Sequence, residues 1–276
     1  LFEKTLERVK NSIFDYPVIS TNQKYISEIK KNLRKQGIQK YKIILEPSKK
    51  NTAPAILSSV LIKEIPENQP LIFLSADHLI GKKNLFYKAI KHNRKHLTDK
   101  NIFIFGIKPS NPSREFGYFL SKKKGEVYKV IKFIEKPHEK KAKKIIKQKA
   151  FWNSGMFLLT KKSIINNFKR YQKKNFKYCL NSINKSILKN NTYYLNKKEF
   201  LMCSSISFDN AILEKSKNIY AMKLDIPWSD LGSWKEICKI FNKLKNKYQN
   251  RKKIFYRPWG KYTNLYNGKN FLIKEL

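Results

Sequence analysis

The chain has 276 residues, 41% of them apolar, and carries 60 Lys+Arg against 20 Asp+Glu, a formal charge of +40 at pH 7. That length is ample for a buried core in one large α/β domain or two modest ones, and no stretch approaches the roughly 18 apolar residues that cross a bilayer. The charge does not make the chain a nucleic-acid binder. Arginine stands at only seven positions (Arg8, Arg34, Arg94, Arg114, Arg170, Arg251 and Arg257), and lysine, asparagine and isoleucine rise together along the whole chain, as an AT-rich genome produces. Nucleic-acid surfaces concentrate their charge, use arginine forks and interleave stacking aromatics. The lysines of KNLRKQ and KKAKKIIKQK instead lie on presumed solvated helix faces, from which they attract phosphorylated small molecules without specificity.

In chain order, LFEKTLERVKNSI reads as an amphipathic helix without a signal-peptide cleavage site. PVIST (17–21) is a short strand, followed by a helix from Gln23 to Gln36. KIILEP (42–47) is a second strand and APAILSSVLIKEI a helix. LIFLSAD (71–77) is a third strand, apolar enough to be covered on both faces. A helix through Phe86 to His96 leads to NIFIFGI (101–107), a fourth strand. This alternation predicts an α/β fold with a mainly parallel sheet, helices on both faces and ligands beyond the carboxyl ends of the strands. The second half changes character. GYFLS and VYKVIKFIEKP read as antiparallel strands, HEKKAKKIIKQK as a helix, FWNSGMFLLT as a strand and 162–202 as a helical region. SFDNAILEK, a strand YAMKL and a turn-to-helix WSDLGSWKEICKIFNKLKN follow. KNKYQNRKK looks like a basic linker, and the last twenty residues like a hairpin turning at Asn267-Gly268. Cys179, Cys203 and Cys238 show no CxxC spacing, which argues against a disulfide framework or a cysteine zinc site and fits a reducing cytoplasm.

Five stretches carry candidate chemistry, each beside a plainer reading. In LEPSKKNTAPAI, Thr52 is the expected helix cap with Pro54 in the first turn; alternatively Glu46 and the loop recognise a purine edge. In SADH, Asp77 caps the next helix and His78 lies on the surface, or Asp77 holds Mg²⁺, which takes one or two carboxylates plus substrate phosphates. In FIEKP, Glu135 and Lys136 form a surface ion pair, or they meet sugar hydroxyls and a phosphate. Asn153 of FWNSGMF satisfies a tight bend or holds sugar hydroxyls, with Gly155 permitting close backbone approach. In WSDLGSW, Asp230 is one of only six aspartates, so Asp77 and Asp230 at element junctions form a candidate metal pair.

Taken in order, LEPSKKNTAPAI, SADH, FGIKPSNPSREFGYF, FIEKP, FWNSGMF, SFDNAILEK, WSDLGSW and RPWGKY resemble mannose-1-phosphate guanylyltransferase of the bacterial type, a family often joined to a mannose-6-phosphate isomerase domain. The resemblance runs over nearly the whole chain. It implies a Rossmann-like nucleotidyltransferase fold over 1–247, with 248–276 as a linker and short hairpin. It also implies Mg²⁺-dependent transfer of GMP from GTP to α-mannose 1-phosphate, giving GDP-mannose and pyrophosphate. Carried over by motif, Glu46, Asn51 and Thr52 contact the guanine nucleotide, and Asp77 and Asp230 hold the metal. Gly117, Glu135 and Asn153 hold the mannosyl group, with Lys136 near its phosphate. The partners implied are these two small molecules, with no specific nucleic acid or membrane; a homo-oligomer is compatible with the chain.

The sequence departs from the family at several points. The family's first strand and glycine-rich GGxGTRLWP loop, which bind the nucleotide phosphates, are not among the 276 residues, so the polypeptide alone is expected to be inactive. Lys50 replaces the usual arginine before NTAPA, and SREFGY replaces an ETGYGY pattern. These differences leave open a different nucleotide and sugar phosphate pair, or a non-catalytic homologue.

Overall fold

The computed structural model describes residues 1–232 and, as backbone only, two short strands beyond them. The first unit, Leu1–Asp230, contains in order α1 (Phe2–Val9), β1 (Val18–Asn22), a 3-10 turn (Gln23–Tyr25), α2 (Ile26–Lys35), β2 (Lys42–Glu46), α3 (Thr52–Val60), β3 (Pro70–Phe73) and β4 (Leu79–Ile80). There follow α4 (Lys83–Arg94), β5 (Ile102–Ile107), β6 (Tyr118–Lys124), β7 (Val127–Ile134), α5 (Glu139–Lys147), β8 (Phe151–Thr160), α6 (Lys161–Tyr171) and α7 (Lys173–Asn184). The unit closes with β9 (Ile187–Lys189), β10 (Thr192–Tyr194), α8 (Lys197–Leu201), a π-helical turn (Asp209–Leu213), β11 (Ile219–Leu224) and β12 (Trp228–Ser229). In the second unit, Leu231–Leu276, β13 (Asn264–Tyr266) pairs antiparallel with β14 (Asn270–Leu272). Asn267-Gly268, the basic linker and Cys238 lie outside the described residues.

The sheet is mixed, in the order β3-β8-β5-β11-β7-β6, with a second sheet β1-β2-β10-β9. In the larger sheet β3, β5, β6 and β11 run one way and β7 and β8 the other. Side-chain alternation sorts its two faces. Ile102 and Ile104 of β5 join Ile56 and Leu57 of α3, Ile164 and Phe168 of α6 and Ile183 of α7 in one cluster. Phe103, Phe105 and Ile107 turn the other way, onto Phe86 and Ile90 of α4 and Ala142 and Ile145 of α5. Every residue of β5 is buried, as a strand covered on both faces requires. A third cluster seats Leu6 of α1 and Ile29 and Leu33 of α2 against Ile43.

Three local expectations need correction. The strand expected over 71–77 stops at Phe73 and is half-buried along its whole length. It flanks a cavity of about 820 Å³ whose other wall is β1, and among the described residues neither β1 nor β3 pairs with a strand on that side. The cap of α3 is Asn51, whose Oδ1 accepts from Thr52 N at 2.8 Å; Thr52 is the first helical residue. The region 162–202 is not continuously helical: β9 and β10 form a hairpin, and β10 extends the smaller sheet parallel to β2. Asn190 and Asn191 turn that hairpin with φ of 49° and 61°, the left-handed pair a tight hairpin turn needs.

Candidate functional site

The site forms where β3 gives way to the turn 74–78. This turn is fastened from below by α1. Thr5 Oγ1 donates to Ala76 O at 3.1 Å, and the Arg8 guanidinium, 1% exposed, donates to His78 O at 3.3 Å. Tyr87 in turn donates to Arg8 O at 2.8 Å. After the turn, β4 pairs antiparallel with β12, Ser229 opposite Leu79 and Trp228 opposite Ile80. That register sets Asp230 across from His78, so two aspartates 153 positions apart in sequence converge on one imidazole.

His78 packs edge-on against Trp228, ring centroids 5.4 Å apart. Burial lowers its pKa below the ordinary value, against the pull of Asp77 and Asp230. Its Nδ1 is buried and makes no hydrogen bond among the described residues. Asp77 Oδ1 lies 4.0 Å from His78 Nε2, with its own side chain 70% exposed. The surface position expected for His78 is therefore corrected: it is a half-buried group between two carboxylates. The donor set suits Mg²⁺, which is bound by one or two carboxylates and completes its shell with waters and phosphates.

On the far side of the cavity, Gly117, Glu135, Lys136 and Asn153 come together at the ends of β6, β7 and β8. Asn153 N donates to Gly117 O at 2.7 Å, and Asn153 Nδ2 donates to Asp209 Oδ1 at 2.7 Å. A Cβ on Gly117 would stand 2.6 Å from Glu135 Oε2, so glycine is what lets this carboxyl lie against the strand. Burial, then the neighbouring Asp209, pushes Glu135 up to about 7. Burial likewise raises Asp209 to about 6, with Lys136 and Asn153 pulling the other way. Glu135 Oε2 has no hydrogen-bond partner among the described residues. A carboxyl pair of this kind, partly protonated near neutrality, can both donate to and accept from hydroxyl groups. Asp209 was not singled out from the sequence, although it stands between Phe208 and the apolar run Ala211–Leu213, which is a signal of burial.

The third wall is the start of α3. Asn51 takes φ 66° to bring its side chain back as the cap. Thr52 Oγ1 accepts from Phe208 N at 2.8 Å and Ala53 N donates to Ile206 O at 3.1 Å, which ties this loop to the segment leading into Asp209. Lys50 is turned away, donating to Leu201 O at 2.8 Å. Glu46 accepts a hydrogen bond from Ser20 Oγ, and burial pushes it up to about 6. Of the sequence-predicted residues, Asn51, Thr52, Gly117, Glu135, Lys136, Asn153 and Asp230 line the one cavity. Asp77 and Glu46 stand just behind it, beside the lining residues Ala76, His78 and Ser20.

The nucleotidyl transferase family matches residues 1–247. Mannose-1-phosphate guanylyltransferase RfbM of Salmonella typhimurium is 30% identical over 252 residues, covering 88% of this chain and 52% of the relative. A mannose-1-phosphate guanylyltransferase of Escherichia coli is 31% identical over 253 residues, covering 88% and 54%. The chain thus spans about half the length of these curated relatives. A crystal structure of mannose-1-phosphate geranyltransferase from Thermus thermophilus superposes with a TM-score of 0.74 at 24% identity, over 87% of this chain and 68% of that one, a likeness of fold.

Proposed function

This chain belongs to the nucleotidyl transferase family, and from that premise we propose that it serves the transfer of GMP from GTP to α-mannose 1-phosphate, giving GDP-mannose and pyrophosphate. The observation that supports the reading is that the β4–β12 ladder brings Asp230, which lines the cavity, to the turn that carries Asp77, while Glu135, Lys136 and Asn153 line the same cavity. The 30% and 31% identity to enzymes bearing that name favours guanine and mannose over other pairs.

In the proposed reaction, a phosphate oxygen of mannose 1-phosphate attacks the α-phosphorus of GTP. A new P–O bond forms as the bond from Pα to the bridging oxygen breaks, and pyrophosphate leaves with that electron pair. No covalent enzyme intermediate is required, so catalysis is positioning plus neutralisation of charge. Asp77 and Asp230 would hold Mg²⁺, which when bound supplies charge neutralisation at the phosphates. Asn51 and Thr52 at the amino end of α3 meet the nucleotide. Lys136 pairs with the sugar phosphate, while Asn153 and the Glu135–Asp209 pair hold sugar hydroxyls. The backbone of Gly117 leaves room for the ring.

The test is a binding panel of GTP, ATP, UTP and CTP with Mg²⁺, read from tryptophan fluorescence, since Trp228 borders the cavity. GTP should bind tightest; preference for another triphosphate would favour a different nucleotide pair, and no binding to any would contradict nucleotide recognition by the residues present.

A further inference from the structure

The last turn of α4 carries His92, and His96 follows just past its end, four residues on and therefore on the same face. Their ring centroids are 5.7 Å apart. Facing them, the β6–β7 hairpin turns at Gly125, φ 59°, and brings up Glu126. The ligand atoms of His92, His96 and Glu126 all lie within 4.8 Å of one another. The chain has only four histidines, and two of them meet at this point.

Around a tetrahedral zinc ion, bonds of about 2.0–2.1 Å put neighbouring ligand atoms roughly 3.3 Å apart. His96 Nε2 and Glu126 Oε2, at 3.1 Å, already have that spacing. His96 Nε2 is shut off from solvent and makes no hydrogen bond of normal geometry, despite the carboxylate beside it. Protonated, this nitrogen forms an ion pair with the carboxylate; deprotonated, it offers a lone pair beside the carboxylate oxygen at a spacing that a cation would bridge. His92 is exposed, so rotation of its side chain is free to close the remaining gap. The present counter-charge is Lys95, whose Nζ lies 2.9 Å from Glu126 Oε2 and holds that carboxyl below its usual range.

We propose that His92, His96 and Glu126 form a site for one divalent transition-metal ion of the zinc type, with a fourth position open to water. Two imidazoles select such an ion over Mg²⁺, which demands oxygen ligands. The site is separate from the Asp77–Asp230 pair. It sits by the hairpin turn at the amino end of β11, where Lys129 of β7 donates to Lys217 O at 2.6 Å, whereas Glu135 follows the far end of β7. A bound ion would clamp α4 to the hairpin whose opposite end carries Gly117 and Glu135.

The test is a titration of the untagged protein with Zn²⁺ by calorimetry, and with Co²⁺ by visible absorption. One equivalent should bind, with the intense visible bands of four-coordinate cobalt. His92→Gln and His96→Gln should each weaken Zn²⁺ by more than about tenfold, Asp77→Asn should leave it unchanged, and excess Mg²⁺ should not displace it. Binding that survives the His92→Gln, His96→Gln double variant, or no binding of Zn²⁺ at all, overturns the proposal. Both histidines are at the surface or partly exposed, and melting curves of the variants check that the fold is intact.

Discussion

Replacing Glu135 by glutamine should make the protein more stable above neutral pH while weakening its grip on the sugar. The folded carboxyl titrates at about 7 against an ordinary 4.5, chiefly because it is buried and then because Asp209 is near. A raised carboxyl pKa means that, between those two values, the folded chain keeps a proton that the unfolded chain has released. Stability is therefore highest at low pH and falls as pH rises from about 4.5 to about 7. Holding that proton from about 4.5 up to about 7 corresponds to about 3.4 kcal/mol; Glu135 is only half-buried, and solvent screening brings this to about 1.5–2 kcal/mol. Glutamine keeps the shape without the charge. At pH 8, Glu135→Gln should gain that amount, a rise in Tm of about 4–6 °C, and near pH 4 it should match the parent. Asp209, titrating at about 6, keeps its own slope below that pH, so the difference between parent and variant opens mainly between pH 5 and 8. Thermal melts at unit pH steps from 4 to 8 read this directly. Curves that stay parallel at every pH, or a variant less stable at pH 8, would refute the account of a strained, proton-holding carboxyl.

Gly117→Ala should drive the Glu135 carboxyl off the strand, because its Cβ would stand 2.6 Å from Oε2; affinity for GDP-mannose should fall by about tenfold or more while GTP affinity holds, and equal losses on both would argue against a sugar-side role. At Asn51 the backbone has φ 66°. Asn51→Ala should therefore cost about 2 kcal/mol in urea unfolding, from the lost cap and the strained alanine, whereas Asn51→Gly should cost only a few tenths. Similar losses in the two would remove the backbone argument. Asp77→Asn should abolish the strengthening of GTP binding by Mg²⁺ and leave the melting temperature within about 2 °C, since the side chain is largely exposed; an unchanged Mg²⁺ response would take Asp77 out of the metal site.

Much of the site was legible because its residues sit at element junctions, where strands end and caps begin. The run NIFIFGI announced β5 by unbroken apolarity, and the structure buries all of 102–107. Asp77 and Asp230 were singled out by the scarcity of aspartate, but what brings Asp230 to the turn that carries Asp77, a two-residue ladder between β4 and β12, is too short to leave a pattern. Asp209 and His78 were missed for a related reason. Each acquires its character from burial by distant segments, Asp209 against Asn153 and His78 between Trp228 and the turn that Arg8 holds. Periodicity reports the face of an element: His78 lies on none, and Asp209 opens a π-helical turn of five residues, too short to show a period. LIFLSAD misled in the opposite sense: apolar composition predicted cover on both faces, whereas β3 borders the cavity and stays half-buried. The β9–β10 hairpin hid behind a helical reading of its surroundings, although the Asn190-Asn191 pair marks its turn.

The central claim is that one cavity recognises a guanine nucleotide on the α3 side and a mannosyl group on the Glu135 side. Calorimetric titration of the protein with GDP-mannose and, separately, with UDP-glucose, both in Mg²⁺, measures it most directly. The account predicts that GDP-mannose binds at least about tenfold tighter, a difference of about 1.4 kcal/mol, and that Glu135→Gln narrows the gap. Equal affinity for the two nucleotide sugars, or tighter binding of UDP-glucose, would contradict it.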